Sequence, residues 1–293
     1  MTPIPELGQL NIGLSCIKGA KEDYRNQDDF AIYLSNELSI LGVFDGHGPT
    51  GDSLSNFAQE TILASILEMK ESVGTDGMNQ SLCEVFRKCH LEVKQHDSNV
   101  NDRSIFDADA SGTTATVIIV EQHLITAASV GDSRCILGIE SKRGSGKFKC
   151  IDLTSDHSAD RRDERKRIEA AGGEVRLLKG DIPFRVFVKN QMYPGLAMTR
   201  AIGDVCGEEA GVTSEPEIQQ YRIDPKLSSF IVLASDGVWE FLSSENVIDI
   251  VSNFSPSQSQ EAVKAVVDAS IERWNDFSPY AVDDITCIIF WLP

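Results

Sequence analysis

Three apolar runs of this chain meet acids at their ends. Ile40-Leu41-Gly42-Val43-Phe44 runs into Asp45-Gly46-His47-Gly48, and Phe230-Ile231-Val232-Leu233-Ala234-Ser235 runs into Asp236-Gly237. Asp283-Asp284 leads into Ile285-Thr286-Cys287-Ile288-Ile289-Phe290. An aspartate at a strand end can ligate a metal, a glycine beside it leaves a backbone carbonyl approachable, and a histidine can move a proton near neutral pH. Taken singly, each Asp-Gly is an ordinary turn and His47 an ordinary turn histidine. Taken together they suggest a site. Antiparallel neighbours set the C-terminal end of one strand beside the start of the next, so pairing of these strands would put Asp45, Asp236 and Asp283 on one rim of one sheet. Carboxylates gathered that closely repel unless a cation sits among them, and an all-oxygen set favours Mg²⁺ or Mn²⁺ over Zn²⁺. Two such ions about 3.5–4 Å apart lower the pKa of a bridging water and clamp an in-line displacement at phosphorus, without a protein nucleophile. His47, two residues past Asp45, could protonate the leaving oxygen.

The elements that would position these residues follow from periodicity. Strand patterns cover Asp29 to Leu34, Leu38 to Phe44, Thr114 to Val120, Leu124 to Val130, Cys135 to Ile139, Phe230 to Ser235 and Ile285 to Trp291. Glu121-Gln122-His123 reads as a hairpin turn. Leu82, Val85, Phe86, Cys89 and Val93 recur at helical spacing, as do Val263, Val266, Val267, Ile271 and Trp274; Leu54, Phe57, Ala58 and Thr61 begin a third helix. A fourth, from about Asp160 to Ala171, stops at Gly172-Gly173. Polar stretches at Glu71 to Gln80, Asp97 to Asp109 and Ser141 to Lys149 read as surface loops, and nothing splits residues 1–293 into separate domains. Hairpin-linked strands with grouped helices point to an α+β fold with antiparallel sheets.

Composition excludes several function classes. Of 293 residues, 27 are Lys or Arg and 45 Asp or Glu, a formal net charge of −18. Such acidity argues against a nucleic-acid footprint or docking on anionic lipid, and it suits carboxylates that a divalent cation would neutralise. The seven cysteines are scattered without a C-x-x-C pair, which points to reduced intracellular thiols. None has an arginine six positions later, so the loop of cysteine-dependent phosphatases is absent, and no G-x-x-x-x-G-K-[ST] occurs. No signal peptide, myristoylation glycine or membrane-spanning run is visible. The expectation is a soluble intracellular protein, cytoplasmic or nuclear, and monomeric.

Nine motifs in order extend the pattern along nearly the whole chain: Asn26-Gln27-Asp28-Asp29-Phe30, Val43-Phe44-Asp45-Gly46-His47-Gly48, Ser111-Gly112-Thr113-Thr114-Ala115, Val130-Gly131-Asp132-Ser133-Arg134, Leu153-Thr154-Ser155-Asp156-His157, Glu164 to Gly173, Leu196 to Asp204, Ala234-Ser235-Asp236-Gly237-Val238-Trp239-Glu240 and Asp283-Asp284-Ile285-Thr286. In these the chain resembles the metal-dependent protein serine/threonine phosphatases of the protein phosphatase 2C family. The resemblance implies two packed antiparallel β-sheets flanked by α-helices, a four-layer α-β-β-α sandwich. It also implies two Mg²⁺ or Mn²⁺ ions, with a weaker third, acting on phosphorylated protein substrates. Position by position, Asp45 resembles the carboxylate bridging both metals, the Gly46 carbonyl a ligand of one, and Asp236 and Asp283 ligands of the other. Asp28 resembles the acid that holds metal-bound waters, and His47 the general acid. Asp132 matches a third-metal position shared with Asp236 and with Glu240, where Asp is more familiar.

Two positions depart from the family pattern. Gln27 stands where Glu is frequent, so it would reach metal waters through an uncharged amide. Asp23 stands where the phosphate-binding Arg usually lies, which leaves Arg25 and Lys21 as the nearest cations for that role. Lys179 to Pro194 corresponds to the family's variable flap, whose Phe184-Arg185-Val186-Phe187 would either contact substrate or pack the flap down. Arg134, Arg167, Arg200, Asp156 and Asp204 read as architecture. Two other functions compete: a binding domain that kept the fold without catalysis, and hydrolysis of small phosphate esters. The first would need a lost metal ligand, and Asp45, Asp236 and Asp283 are all present.

Overall fold

Strands that are apolar at every position need cover on both faces, and that requirement organises the chain. The computed structural model describes residues 10–20, 25–72, 78–97, 107–179, 183–278 and 280–293. One sheet has the order β1 (Ile12–Ile17), β15 (Ile285–Trp291), β14 (Ser229–Ala234), β7 (Arg134–Glu140), β8 (Phe148–Asp152). The other runs β12 (Ile202–Gly203), β4 (Gly112–Thr113), β3 (Leu38–His47), β5 (Ala115–Glu121), β6 (Leu124–Val130), β13 (Glu217–Arg222), with β2 (Asp28–Leu34) also paired to β3. All pairings within both sheets are antiparallel.

Side-chain alternation divides each strand between two cores. Leu41, Val43, Ile118 and Val120 of one sheet meet Leu137, Ile231, Leu233 and Ile288 of the other, forming the inter-sheet core. Their neighbours Ile40, Phe44, Val117 and Ile119 face outward onto helices α1 (Gly51–Ser72) and α2 (Met78–Asp97). Val232, Ala234, Ile285, Cys287 and Ile289 face outward onto α4 (Asp236–Trp239), α5 (Ser244–Val251) and α6 (Ser259–Phe277). The layers are therefore helix, sheet, sheet, helix. Each fully buried Leu, Ile, Val or Phe contributes about 1.5–3 kcal/mol, so the three cores are what stack the two sheets.

Helix α3 (Arg162–Ala171) ends on Gly172 in the left-handed region, as its stop signal implies. It packs with a small sheet of β9 (Gly173–Leu177), β10 (Phe184–Val188) and β11 (Pro194–Leu196) around Ile168, Val186, Leu196 and Ala210. The segment Lys179 to Pro194, read as a flap, contributes β10 and the turn into β11 to this sheet, apart from residues 180–182, which lie outside the described residues. Val186 and Phe187 within it are buried. The expected loop at Ser141 to Lys149 is the β7–β8 connection, with β8 already begun at Phe148. Of the other two expected loops, 73–77 and 98–106 lie outside the described residues, while helices occupy parts of their flanks. All seven cysteines are free. No helix among the described residues is long and apolar enough to cross a membrane.

Candidate active site

Strand β3 does not stop at Phe44. It continues through His47, which corrects the expectation of a strand ending in an Asp-Gly turn. Asp45 stands opposite Asp28 on β2, and Gly46 and His47 stand opposite Thr113 and Gly112 on β4. The pairing partners explain the extension, since they satisfy the backbone where the apolar run ends. Alternation then aims the chemistry. Leu41 and Val43 face the inter-sheet core, so Asp45 and His47 continue the same row at the open end of the inter-sheet gap. Asp28 shares its face of β2 with Phe30, Ile32 and Leu34, which pack on that same core. The Thr114 hydroxyl accepts the Asp45 N–H at 3.0 Å and lies 2.8 Å from the Ser133 hydroxyl.

The facing acids come from the other sheet. Strand β14 ends at Ala234, Ser235 follows, and Asp236 opens the short helix α4; Asp283 precedes β15, whose Cys287 pairs with Ala234. Asp45 therefore does not share a rim with Asp236 and Asp283 within one sheet, as the strand-end argument expected. β3 pairs with β2, β4 and β5 instead, and the carboxylates meet across the sandwich. Ser235 stitches the two sides: its hydroxyl donates to Asp28 Oδ2 at 2.8 Å and accepts the Thr286 N–H at 3.0 Å.

The electrostatics are those of a site that lacks positive charge. Burial first, then Asp236, Asp28, Asp283 and Asp132, push the Asp45 carboxyl well above its ordinary value. Burial, then Asp283 and Asp132, do the same to Asp236, although a hydrogen bond with Asp45 works the other way. Burial raises Asp28 to about 7 and Asp132 to about 6. Asp28 Oδ1 and Asp132 Oδ1 are buried without a hydrogen-bond partner. Among the described residues no three His, Cys, Asp or Glu side chains close on one point as a protein-only metal cage would. Mg²⁺ needs no such cage, because it keeps several waters and takes one or two carboxylates. Buried, mutually repelling acids with orphaned oxygens fit a hydrated hard cation. At Gly46 a side chain would collide with the Gly51 carbonyl, so only glycine leaves the backbone open there.

His47 Nε2 lies 2.7 Å from Asp204 Oδ2. Burial of the ring disfavours its charged form. The charge and hydrogen bond of Asp204, with Asp132 and the Asp45 carbonyl adding to them, outweigh that and hold the histidine above its ordinary pKa.

Against known proteins, the family model described as PP2C, Protein phosphatase 2C, matches residues 21–275. The chain belongs to the protein phosphatase 2C family. It is 33% identical over 300 residues to Probable protein phosphatase 2C 72 of Arabidopsis thaliana, covering 99% of this chain and 86% of that relative. It is 31% identical to Probable protein phosphatase 2C 35 of the same plant, covering 91% of this chain and 78% of the relative. The fold matches the crystal structure of serine-threonine phosphatase 2C from Toxoplasma gondii at a TM-score of 0.77 and 18% identity, covering 96% of this chain and 94% of that one. The protein is thus an enzyme of a hydrolase family, a protein phosphatase.

Within this protein phosphatase 2C fold the remaining expected site residues fall in different places. The Gln27 amide nitrogen donates to the Gly48 carbonyl at 2.8 Å. Glu240 is exposed at the end of α4, its carboxyl raised by burial and by Asp283. Arg25 is 89% exposed and lies 4.0 Å from Asp52 at the start of α1; Lys21 lies outside the described residues. Arg134, Arg167 and Arg200 are architectural, bound to Asp156, to the Gly211 carbonyl and to Glu164. Asp204 does more than the architectural role read from the sequence, since it holds His47. Asp284 was also undervalued: it accepts the N–H groups of Gly19 at 2.7 Å and Gln27 at 2.8 Å, fixing the start of β2. Its position beside Asp283, at the start of an apolar strand, was the available signal.

Proposed function

We propose that this phosphatase hydrolyses phosphoserine and phosphothreonine in proteins, using two Mg²⁺ or Mn²⁺ ions held at the open end of the inter-sheet gap. Asp45 would be shared between the ions, with the Gly46 carbonyl serving one and Asp236 and Asp283 the other. Asp28, and less directly Gln27, would act through bound water. Asp132 and Glu240, with Asp236, form a weaker third position. When bound, the ions would supply a water of lowered pKa as nucleophile and charge to stabilise the displaced oxygen.

The chain's own residues prepare that step. The Thr114 hydroxyl fixes the Asp45 backbone, and Ser235, at the end of a strand of the facing sheet, fixes the Asp28 carboxylate, so the two sides of the site are tied together. His47, whose charged form Asp204 favours, would give a proton to the serine or threonine oxygen as it leaves. Arg25, exposed and 4.0 Å from Asp52, would offer its guanidinium to the substrate phosphate. The observation that carries this reading is the convergence of Asp28, Asp45, Asp132 and Asp236 from both sheets, each raised by burial and by neighbouring acids.

Phosphopeptide hydrolysis with Mg²⁺ or Mn²⁺, with chelator, and in Asp45→Asn tests it. Activity is expected to vanish with chelator and to fall by two or more orders of magnitude in the variant, the scale of a lost electrostatic contributor. Activity that survives either treatment would overturn the mechanism.

A further inference from the structure

We propose that His157 is a positioning residue: its ring and its backbone hold Gly131, and through Gly131 they set where the neighbouring Asp132 presents its carboxylate to a third ion. This rests on the reading of Asp132 as part of that third metal position. The carboxylate is not held by its head. Asp132 Oδ1 is buried without a hydrogen-bond partner, and the carboxyl is hydrogen-bonded by its own backbone N–H. Its direction is therefore set by the short turn that carries it, from the end of β6 at Val130 to the start of β7 at Arg134. After Asp132 that turn is tied down by side chains. The Ser133 hydroxyl lies 2.8 Å from that of Thr114, and the Ser133 carbonyl accepts the Thr116 hydroxyl at 2.9 Å. Before Asp132 stands Gly131, in the left-handed region at φ 98°, where a Cβ would lie 2.5 Å from Thr114 Cγ2. A glycine can be anchored only by its backbone, and both of its polar groups go to His157. The Gly131 N–H donates to His157 Nδ1 at 3.1 Å, and the Gly131 carbonyl accepts the His157 N–H at 2.9 Å.

The surroundings of His157 suit it to this duty. The residue is fully buried. A ring nitrogen accepts through its lone pair, so Nδ1 carries no hydrogen and the ring's hydrogen sits on Nε2, 3.4 Å from Glu217 Oε2. Glu217 is itself held by Arg161 at 2.5 Å, and the His157 carbonyl accepts the Thr199 N–H at 2.7 Å. The imidazole is thus fixed before it reaches Gly131. Asp156, the preceding residue, binds Arg134 at 2.6 Å, so two adjacent residues of the Leu153 to His157 motif grip the chain on both sides of Asp132. A buried N–H that loses its acceptor keeps the cost of its desolvation and turns towards any other partner. Removing Nδ1 would then let Gly131 rotate and carry Asp132 with it.

The test is Mn²⁺ binding by the full chain, followed by calorimetry and by the electron paramagnetic resonance of the free ion, neither of which needs turnover. Two variants carry the same amide in different places. His157→Asn puts its oxygen where Nδ1 stands, whereas His157→Gln puts it one atom further out, at the place of Nε2. Melting temperatures without metal choose a temperature at which every variant is folded. His157→Gln is expected to weaken the loosest Mn²⁺ by roughly 10–100-fold, the scale on which an outer partner of a metal site acts, and to leave the tighter ions near their parent affinities. His157→Asn should hold the loosest ion closer to the parent, although it fills the space of the ring less well than Gln. In an Asp132→Asn background, His157→Gln should change metal binding no further. A Gln variant that binds as well as the Asn variant, or equal weakening of every ion, would show that the ring acts by bulk alone and overturn the proposal. A parent chain that takes two Mn²⁺ and no weaker third would overturn it while leaving the two-ion reading in place. A parent that takes none would overturn both.

Discussion

A carboxyl group buried among other carboxylates binds protons that it would release in the unfolded chain. Burial, with Asp284 and Asp283 adding to it against hydrogen bonds from Thr286 and Ser235, takes Asp28 from 3.8 to about 7. Between those values the native state holds the extra proton, so metal-free stability falls as pH rises. In chelator the melting temperature is expected to drop between about pH 4 and pH 7, with Asp28→Asn flattening the slope and Mg²⁺ restoring stability at neutral pH. A melting temperature that stays level or climbs through that window would count against the acid cluster. At this scale the candidate acids were legible in the sequence. Asp45, Asp236 and Asp283 stand out together because each flanks an apolar run, although any one of them alone reads as a turn residue. Asp204 does not stand out, because its meaning lies in a histidine 157 residues earlier and in a left-handed turn that no local pattern reveals.

Elements hold these residues in place through buried polar joints as well as through apolar faces. Glu164 on α3, with a side chain only 2% exposed, accepts from Arg167 and Arg200 at 2.6 Å each and from Thr199 at 2.5 Å. It thereby ties α3 to the segment that leads into β12 and Asp204. Burial alone would raise its pKa, but the bonds from Arg200, Arg167 and Thr199 hold it far below the ordinary range. The stability it contributes is thus present above the ordinary glutamate pKa and is lost as pH falls through the folded value. Glu164→Ala should cost about 3–5 kcal/mol in urea unfolding at pH 7, because it strands two arginines, and the deficit should shrink in acid. A cost below the scale of an exposed ion pair, about 0–1 kcal/mol, would show the joint to be dispensable. The sequence made most of the continuous apolar strands and the longer helices plain, and left β1, β4, β8 to β13, α4 and α5 hidden. Most of these are short, β8, β9 and β13 are partly exposed, and Glu217-Ile218-Gln219-Gln220-Tyr221-Arg222 has no apolar run to announce it. Which strands pair was equally hidden, and that is why Asp45 was placed in the wrong sheet.

The whole molecule sets the distance between the two halves of the site, because Asp45 and Asp236 belong to different sheets, joined at that end by side-chain packing and by hydrogen bonds such as that of Ser235 to Asp28. Leu233 and Ile125 are both fully buried in the inter-sheet core, at opposite ends of it. Leu233 stands next to Ala234, where β14 turns into Ser235 and Asp236, whereas Ile125 pairs with Val120 at the end remote from Asp45. Truncating either to alanine removes a similar volume and should cost about 2–5 kcal/mol in urea. If stacking of the sheets governs the site, the two cavities will differ in function. Leu233→Ala lets Asp236 shift relative to Asp45 and should raise the Mg²⁺ concentration for half-maximal activity several-fold. Ile125→Ala should leave that concentration near the parent value despite an equal loss of stability. Titrating Mg²⁺ against phosphopeptide hydrolysis in both variants, well below their melting temperatures, separates the two effects. Equal metal requirements would mean that the acids are aligned locally, by the Thr114 and Ser235 hydrogen bonds, and that the sheet stack only carries them.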